Sequence, residues 1–464
     1  MAFTEFYCDA ANGSNLNAGS ESGGAARLTY ASGSWVASTG VFTAASGNPN
    51  TDGVVVGDFA SVYPDGASVA VFIGRVTAKD ATTITVSLTA KSGTAPTDGT
   101  SNRTLKIGGT WKGPNAAESF PLDFINTAMN NGTNVVPRVN FKNNASYVAS
   151  GALTASASTV VFQGYTTTPG DGGMATIDGG TGGSAYNLVA VTGANILFKN
   201  IKFYQNGGSG GSVSTHGVNV TGARNVLHQC VCAGMRGSGF YVATPALLLE
   251  CEAYDCNRNN STAKGAIHLL SSGAIAIRCY SHHNAGSNGN GYYADTTVSF
   301  IGCVAHSNGK DGWYANSDQF LTLIGCEAYN NTGSGLDSQG GSGTLNFNVQ
   351  SCNFVKNGRY GIECSATTRY GVIYNCGFGA GTQANSLGQI TANISPVGIS
   401  GSVTYPNDVT PWADPANGDF RIVLPEAKAA GRGSYLQTYG ESAPNTVGYP
   451  DIGACQSKPG TRVS

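Results

Sequence analysis

Short apolar stretches recur between residues 225 and 378, and within them apolar and polar positions alternate as they do in β-strands. Seven of these stretches end in a cysteine. The shortest separation between consecutive cysteines is 21 residues, from Cys230 to Cys251, and the longest is 28, from Cys251 to Cys279. The series continues with Cys303, Cys326, Cys352 and Cys376. A repeat of this length predicts a solenoid, because one unit is too small to bury its own apolar face and must stack on its neighbours.

Two further residue types recur in phase with the cysteines. In four repeats an asparagine follows the cysteine by five residues, and stacked asparagines can bridge successive bends through their amides. These residues are Asn284, Asn308, Asn331 and Asn357. A glycine then begins the next apolar pair, at Gly239, Gly265, Gly291, Gly312, Gly335 and Gly361. Because the extra residues of the longer repeats fall in one bend, the pattern predicts an all-β fold, a right-handed single-stranded parallel β-helix.

The cysteines also set the direction of the other side chains. If the cysteines point inward, strand alternation turns the first residue after each glycine inward and the second outward. The predicted inward row is Phe240, Ala266, Tyr292, Trp313, Leu336 and Ile362. The predicted outward row is Tyr241, Ile267, Tyr293, Tyr314, Asp337 and Glu363. A second outward row, in the strands after the cysteines, contains Tyr254, His282, His306 and Tyr329.

The outward rows hold the candidate chemistry. Stacked tyrosines form a flat amphipathic strip that suits the apolar face and the hydroxyls of a sugar ring. The candidate carbohydrate-binding residues are therefore Tyr241, Tyr293, Tyr314, Tyr254 and Tyr329. Asp337 and Glu363 fall on adjacent turns, so we expect their carboxyls to lie about 5 Å apart, the separation that retaining glycosidases use. They are the candidate catalytic residues. The alternative is structural, because stacked aromatic side chains also stabilise a sheet.

The histidines and cysteines do not predict a metal site. His282 and His306 are neighbours in the second outward row, but two imidazoles without a carboxylate do not complete a set of metal ligands. The cysteines lack the short paired spacing of zinc sites. Most of the twelve occupy the inward repeat position, which favours a stack of free thiols over a disulfide framework. We therefore predict neither a metal nor a cofactor, and folding in a reducing cytoplasm.

The repeat occupies only part of the chain, and the rest divides by pattern. Residues 1–23 form a predicted entry segment. In residues 24–112, stretches of alternating apolar and polar residues end at turns, which predicts a small antiparallel β-domain that is inserted into the β-helix or precedes it. An amphipathic pattern predicts a capping helix over residues 113–132. The β-helix is predicted over residues 133–380, and a closing segment over residues 381–464.

Composition excludes two classes of partner. Charged residues make up only 11% of the chain and the net charge is −2, so no basic surface predicts nucleic-acid binding. The sequence contains no run of 18 apolar residues, so it predicts no membrane span. The first residues lack a basic region followed by an apolar run, so we expect no signal peptide.

Segments at both ends resemble known β-helix proteins. The stretch FYCDAANGSNLNAG at residues 6–19 is similar to their entry segment. The run ADPANGDFRIVLPEAKAAGRGS, which includes Asn417, Gly418, Asp419 and Phe420, and the later PDIGACQ are similar to their closing element. With the repeat between them, these segments resemble the right-handed β-helix proteins of the pectate-lyase-like superfamily, in particular bacteriophage tailspike and virion proteins.

The resemblance implies a function without fixing it. Phage β-helix spikes are commonly homotrimers that bind or cleave surface polysaccharide, so we expect a virion protein, either a tailspike or fibre or a capsid decoration protein, on the particle surface and beside other virion proteins. A polysaccharide lyase or glycoside hydrolase is the first alternative. Against it, the clustered aspartates with a nearby arginine of pectate lyases are absent, as is the Gly-His-Gly segment of polygalacturonases. A bacterial surface adhesin is the second alternative.

Overall fold

A computed structural model gives the fold. It describes residues 2–14, 17–18, 20–23, 25–67, 72–93, 95–109, 135–149, 151–156, 158–180, 186–205, 215–260, 264–284, 286–316, 320–338, 345–364, 369–379, 398–400, 403–405, 410, 412–417 and 419–422. The predicted capping helix over residues 113–132 lies outside these ranges, as does most of the predicted closing segment. The chain divides into two compact units, residues 1–180 with 188–203 and residues 181–187 with 204–464.

The first unit combines a parallel stack of strands with an antiparallel barrel. Its strands are β1 (Ala2–Cys8), β2 (Leu28–Val36), β3 (Val41–Thr43), β4 (Phe59–Pro64), β5 (Phe72–Lys79), β6 (Thr83–Gly93), β7 (Gly99–Ile107), β8 (Val135–Lys142), β9 (Tyr147–Val148), β10 (Leu153–Ala155), β11 (Val161–Tyr165), β12 (Ala175–Asp178), β13 (Val189–Val191), β14 (Leu197–Lys199) and, reaching the boundary, β15 (Ile201–Tyr204). Strand β1 pairs in parallel with β8, from Ala2 opposite Val135 to Cys8 opposite Phe141. Strands β11 and β14 continue this stack.

The barrel is an insertion between the first two strands of that stack. Strands β2 to β7 close in the order β2-β3-β6-β5-β4-β7, and every neighbouring pair is antiparallel. Trp35 and Phe72 pack at 5.6 Å between ring centroids in its core, and the Trp35 indole donates to the Pro96 carbonyl at 3.0 Å. The predicted small antiparallel β-domain is therefore confirmed as a closed sheet.

The second unit is a parallel β-helix of three stacks. Its strands are β16 (Val218–Val220), β17 (Asn225–His228), β18 (Val231–Ala233), β19 (Phe240–Val242), β20 (Ala246–Leu249), β21 (Glu252–Tyr254), β22 (Gly265–Leu269), β23 (Ile275–Ile277), β24 (Tyr280–His282), β25 (Asn290–Ala294), β26 (Val298–Ile301), β27 (Val304–His306), β28 (Trp313–Ala315), β29 (Phe320–Ile324), β30 (Glu327–Tyr329), β31 (Leu336–Asp337), β32 (Leu345–Gln350), β33 (Asn353–Val355), β34 (Ile362–Glu363), β35 (Arg369–Tyr374), β36 (Gly377–Gly379), β37 (Gly398–Ser400) and β38 (Val403–Tyr405). From β16 to β36 every third strand joins the same stack, because each turn contributes one strand to each face, and β37 and β38 then pair with β35 and β36.

The remaining described elements are few. A hairpin pairs β39 (Trp412–Asp414) with β40 (Asp419–Ile422), and a 3₁₀ turn, Pro415–Asn417, joins them. No helix in the described part of the chain is long and apolar enough to cross a membrane.

Free thiols fill one row of the core. All seven repeat cysteines are buried, and no cysteine among the described residues forms a disulfide. The Cys251 thiol donates to the Leu227 carbonyl of the preceding turn at 3.2 Å, and Cys303 contacts the Ala276 carbonyl at 3.3 Å. Burial raises the pKa of Cys251 well above its usual value, which keeps the thiol protonated. The predicted thiol ladder is confirmed.

The asparagines form the second predicted ladder. The amide Nδ2 of Asn284 donates to Oδ1 of Asn308 at 2.7 Å, Asn308 donates to Asn331 at 2.8 Å, and Asn331 donates to Asn357 at 2.9 Å. Each side chain also serves the backbone; for example, Asn331 donates to the Ala305 carbonyl at 3.0 Å. The buried amides of this asparagine ladder therefore satisfy one another from turn to turn.

Two left-handed residues turn the chain within each of the six repeats from Cys230 to Cys352. One precedes the cysteine, as at Arg278 (φ 50°) and Gly302 (φ 61°), and the other lies four residues after it, as at His283 (φ 50°) and Ser307 (φ 52°). The left-handed conformation is uncommon for residues other than glycine and persists where the surrounding packing fixes it. These corners determine which side chains meet at the edges between the stacks.

Candidate functional site

One row of outward side chains runs in register along the stack that contains β19, β22, β25, β28, β31 and β34. Backbone pairing places the members opposite one another in consecutive strands. We call this row the outer column: Tyr241, His268, Tyr293, Tyr314, Asp337 and Glu363. Five of its six members were predicted from the sequence, and the structure brings them together.

His268, the sixth member, shows that the predicted inward and outward positions are wrong in one repeat. Ile267 was expected to point outward, but it pairs with Phe240 and Tyr292 of the inward row and is fully buried. His268 takes the outward position. Gly265 lies opposite Asn290 rather than Gly291, because this repeat places its glycine one residue earlier than its neighbours do. Ala266 therefore occupies the place that the pattern assigned to glycine.

Rings make up the first four members of the outer column. The centroid of Tyr241 lies 5.0 Å from His268, His268 lies 4.5 Å from Tyr293, and Tyr293 stacks on Tyr314 at 5.0 Å with an interplanar angle of 26°. Ammonium groups lie over both ends of this aromatic strip, with Lys264 Nζ 4.8 Å from the Tyr241 centroid and Lys310 Nζ 4.5 Å from that of Tyr314.

The column points outward, but it is not uniformly exposed. Tyr241 and Tyr314 keep partly exposed side chains. Tyr293, Asp337 and Glu363 expose only 2%, 0% and 4% of their surfaces, so the expectation that these three face solvent is wrong. In a parallel stack the neighbours lie about 4.8 Å away on both sides, and large flanking side chains cover the one between them.

Asp337 is the electrostatic outlier of the column. Neither oxygen of its buried carboxyl has a hydrogen-bond partner in the described structure. Burial raises the pKa of Asp337 to about 8, and the nearby charges of Asp311 and Glu363 act in the same direction. A carboxyl with this pKa is mostly protonated at neutral pH, and such a perturbed group is a functional-site candidate.

Glu363, the neighbour of Asp337, is paired instead. Its Oε1 forms an ion pair with the Arg359 guanidinium at 2.7 Å, and its Oε2 accepts a hydrogen bond from the Ser334 hydroxyl at 2.6 Å. The two carboxyls occupy paired positions of adjacent strands, so their separation is set by the strand spacing of about 4.8 Å. The site thus joins one unpaired carboxyl and one carboxylate bound to a cation.

Asp311 is a third acid at this place, and it was not selected from the sequence. It accepts a hydrogen bond from the Ser334 backbone N–H at 2.7 Å and lies 3.4 Å from the Lys310 ammonium. Burial raises the pKa of Asp311. Its position directly before Gly312 is the signal in the sequence, because that glycine directly precedes the strand that carries Tyr314.

The remaining predicted tyrosines belong to another stack. Tyr254 pairs with His282, His282 with His306, and His306 with Tyr329 along β21, β24, β27 and β30. The predicted second row is therefore correct in register. Tyr329 is only 8% exposed, whereas Tyr254 is partly exposed. The five candidate tyrosines consequently lie on two different faces and do not form one strip.

Histidine 283 joins this second row at the corner after β24. The imidazoles of His282 and His306 stack at 5.0 Å with an angle of 9°, and His283 stands nearly perpendicular to His306 at 5.1 Å. Burial and the neighbouring imidazoles lower the pKa of His306 to about 2. The sequence prediction counted only two imidazoles here, because strand alternation does not reveal where a left-handed corner residue points.

Comparison with known proteins supports the architecture. Residues 216–378 match the family model described as a right handed beta helix region. The repeat is therefore a right-handed parallel β-helix, as predicted. No curated protein matches the chain in sequence.

Several solved structures are similar at low identity. Geobacillus virus E2 ORF18 is 14% identical with a TM-score of 0.42, and the alignment covers 60% of this chain and 55% of that one. The Dettilon tailspike protein gp208 is 11% identical, covers 59% and 56% respectively, and has a TM-score of 0.43. Pectate lyase Pel9A is 13% identical, covers 69% and 88%, and has a TM-score of 0.41. The aligned part thus spans just over half of the two viral proteins. At these values the similarities do not bear on what this chain binds.

Proposed function

We propose that this protein is a polysaccharide-binding β-helix and that the outer column is its binding face. The observation that carries the proposal is the register of Tyr241, Tyr293 and Tyr314, which places aromatic rings one strand apart in a line that leads to Asp337 and Glu363. Aromatic faces bind the apolar faces of sugar rings, and adjacent polar groups bind the hydroxyls. The two partly exposed rings, Tyr241 and Tyr314, lie three strands apart, about 14 Å at a strand spacing of about 4.8 Å, which suits a chain of sugars rather than a single one.

The exposed parts of the column support this assignment. Tyr314 is partly exposed, and the Lys310 ammonium 4.5 Å from its ring centroid adds a hydrogen-bond donor at the same place. Tyr241 and Lys264 repeat the arrangement at the other end of the strip. Both ends therefore place a partly exposed tyrosine beside a cation, a combination that also suits acidic polysaccharides.

Binding is tested with the full chain immobilised and a panel of bacterial capsular and lipopolysaccharide-derived glycans in solution. For any glycan that binds, we expect Tyr314→Ala to weaken binding by about 5- to 15-fold, because one aromatic contact contributes about 1 to 1.5 kcal/mol. Tyr314→Phe keeps the ring and is expected to weaken binding much less.

Tyr374→Ala is the matched control, since Tyr374 is partly exposed on β35, in a different stack. It should bind as the unmodified chain does. The proposal fails if no glycan of the panel binds, or if Tyr314→Ala binds as tightly as the Tyr374 control.

A second candidate function, hydrolysis of the bound glycan, is favoured by the two carboxyls. Asp337 is protonated at neutral pH and could give its proton to the glycosidic oxygen as the bond from that oxygen to the anomeric carbon breaks. Glu363, held by Arg359, would form the bond to the anomeric carbon, and water would then release the sugar. Since Asp337 has no exposed surface, this reaction requires the column to open around it.

Hydrolysis is measured as new reducing ends released from a bound glycan. Asp337→Asn and Glu363→Gln should each abolish the activity, whereas Glu250→Gln, a carboxylate variant outside the outer column, should not. The activity should also fall as the pH rises through about 8, because Asp337 then loses its proton. Activity that survives both substitutions would exclude this site. Reducing ends that appear together with unsaturated uronate absorbance would indicate a lyase instead.

We further propose that the protein acts on a phage particle, as a homotrimeric tailspike or fibre or as a capsid decoration protein beside other virion proteins. The support is the resemblance of the repeat and of both end segments to right-handed β-helix proteins, a class that includes bacteriophage tailspikes. The gene neighbourhood tests the location, and mass measurement in solution tests the trimer. Neighbouring genes without portal, capsid or tail proteins would contradict the particle location, and a clean monomer would contradict the spike.

A further inference from the structure

Three histidines converge at one corner of the second unit, and the outer column does not include them. His282 ends β24, His283 follows at a left-handed corner, and His306 ends the next strand of the same stack, β27. We call this group the histidine corner. Each imidazole offers one ring nitrogen, and the three nitrogens lie within 4.8 Å of one another.

The three nitrogens can surround a small ion once the rings shift. Nδ1 of His282 lies 2.8 Å from Nδ1 of His283. Around a tetrahedral zinc ion with bonds of about 2.0–2.1 Å, ligand nitrogens are separated by about 3.3 Å. Binding would therefore part these two rings by about 0.5 Å and bring the widest pair of the three nitrogens, up to 4.8 Å apart, closer together; His283 can move because it is exposed.

Second groups orient two of the three rings. The Glu252 carboxylate lies 2.7 Å from Nε2 of His282, and the Tyr280 hydroxyl lies 2.7 Å from Nε2 of His306. In metal sites a ligating histidine commonly donates its other ring N–H to a carboxylate or another oxygen, which fixes the tautomer and directs the opposite nitrogen at the ion. Glu252 was overlooked from the sequence because it precedes His282 by a full turn.

We propose that His282, His283 and His306 bind one divalent transition-metal ion of the zinc class. Imidazole nitrogens suit zinc, copper and nickel ions, whereas magnesium and calcium prefer oxygen ligands. His283 lines a surface groove together with Asn284, Ser307 and Lys356, so one side of the site is open to solvent and to a fourth ligand. The bound ion would join two successive turns of the β-helix and stabilise them.

Zinc binding is measured on untagged full-length protein after chelator treatment, by competition between the protein and a chromophoric chelator. We expect one Zn²⁺ per chain and a melting temperature that rises when Zn²⁺ is added, since an ion that binds only the folded chain stabilises it. Loss of a group that only orients a ligand weakens metal binding by a factor of about 10 to 100, and we expect Glu252→Gln to weaken Zn²⁺ binding within that range. His283→Ala removes a ligand and should weaken binding by more than that factor.

His283→Ala is the informative variant because His283 is exposed, whereas His306 is buried and its removal could unfold the turn. The melting temperature of His283→Ala without metal verifies the fold. His228→Ala serves as the control, because His228 is a partly exposed histidine that also lies beside a glutamate, 3.5 Å from Glu250. Co²⁺ in place of Zn²⁺ supplies a second measurement, since a four-coordinate site intensifies its visible absorption.

The proposal is supported if His283→Ala loses both the stoichiometric ion and the Co²⁺ spectrum while His228→Ala keeps them. It is overturned if the unmodified chain takes up no Zn²⁺ at micromolar concentration, or if His283→Ala and His228→Ala bind Zn²⁺ equally.

Discussion

The asparagine ladder and the acidic end of the outer column both contain buried polar groups, but the hydrogen bonding of those groups differs. In the ladder each of the first three asparagine amides donates to the next, at 2.7 to 2.9 Å. In the outer column the carboxyl of Asp337 is equally buried and lacks a hydrogen-bond partner in the described structure. The hydrogen bonds of the ladder stabilise the folded chain, whereas the unpaired carboxyl of Asp337 destabilises it.

The difference shows which row the fold requires. A buried amide that is fully hydrogen-bonded contributes about 1 kcal/mol per bond, whereas an unpaired buried carboxyl costs free energy or must stay protonated. Nothing in the packing of the β-helix needs a carboxyl at position 337, because Leu336 beside it supplies the apolar contact to the core. The unfavourable group is therefore the one to test for function.

The largest effect is expected from Asp337→Asn as the pH rises from 5 to 8. Asp337 binds a proton in the folded chain up to about pH 8, but in the unfolded chain only up to about pH 4. Folding thus takes up a proton between these values, and stability falls as pH rises, by up to about 1.4 kcal/mol per pH unit. Asparagine does not titrate in this range. The free energy of unfolding of the variant, relative to that of the unmodified chain, should therefore rise by several kcal/mol between pH 5 and pH 8.

Denaturant unfolding of both chains at pH 5, 6, 7 and 8 measures this difference directly. The difference between the two curves isolates the carboxyl at position 337, because other titrating groups are common to both chains. Parallel curves would mean that Asp337 titrates in its usual acidic range and that its burial has no electrostatic consequence.

A smaller loss is expected when the satisfied row is interrupted. Asn308→Ala removes three buried side-chain bonds, namely those to Asn331 at 2.8 Å, to the Ser281 carbonyl at 3.3 Å and from Asn284 at 2.7 Å. We expect the free energy of unfolding to decrease by about 3 kcal/mol. Asn316→Ala, which removes only an exposed bond to Asp295 at 3.0 Å, should cost less than about 1 kcal/mol. Equal losses in the two variants would show that the ladder contributes nothing specific.

The sequence predicts the satisfied row well, and the reason is physical. Each turn of a β-helix meets the same inward environment, so Cys303 and Asn308 are followed by Cys326 and Asn331 at the same places of the next turn. Repetition along the chain therefore reports the inside of the molecule. The fold class, the thiol ladder and the asparagine ladder could all be predicted in this way.

The outer face repeats less, and its prediction was correspondingly partial. The register of Tyr293, Tyr314, Asp337 and Glu363 followed from the inward phase, but their burial depends on neighbouring side chains that a pattern does not describe. A glycine displaced by one residue in one repeat exchanged Ile267 and His268. His283 escaped prediction because its direction follows from a left-handed corner.

The smallest effect is expected in the thiol ladder, where the buried group is nearly apolar. Cys326 donates weakly to the Phe300 carbonyl at 3.4 Å and fills a fully buried place, so Cys326→Ala should lower the free energy of unfolding by about 1 kcal/mol through the lost sulfur contacts. Cys326→Val should cost more, because an added methyl group overfills a close-packed turn. Reductant should leave the unfolding curve of the unmodified chain unchanged, since the described cysteines are free thiols. A shift on reduction would mean that neighbouring thiols form disulfides, and the inner rows would then be held by covalent bonds rather than by packing and hydrogen bonds.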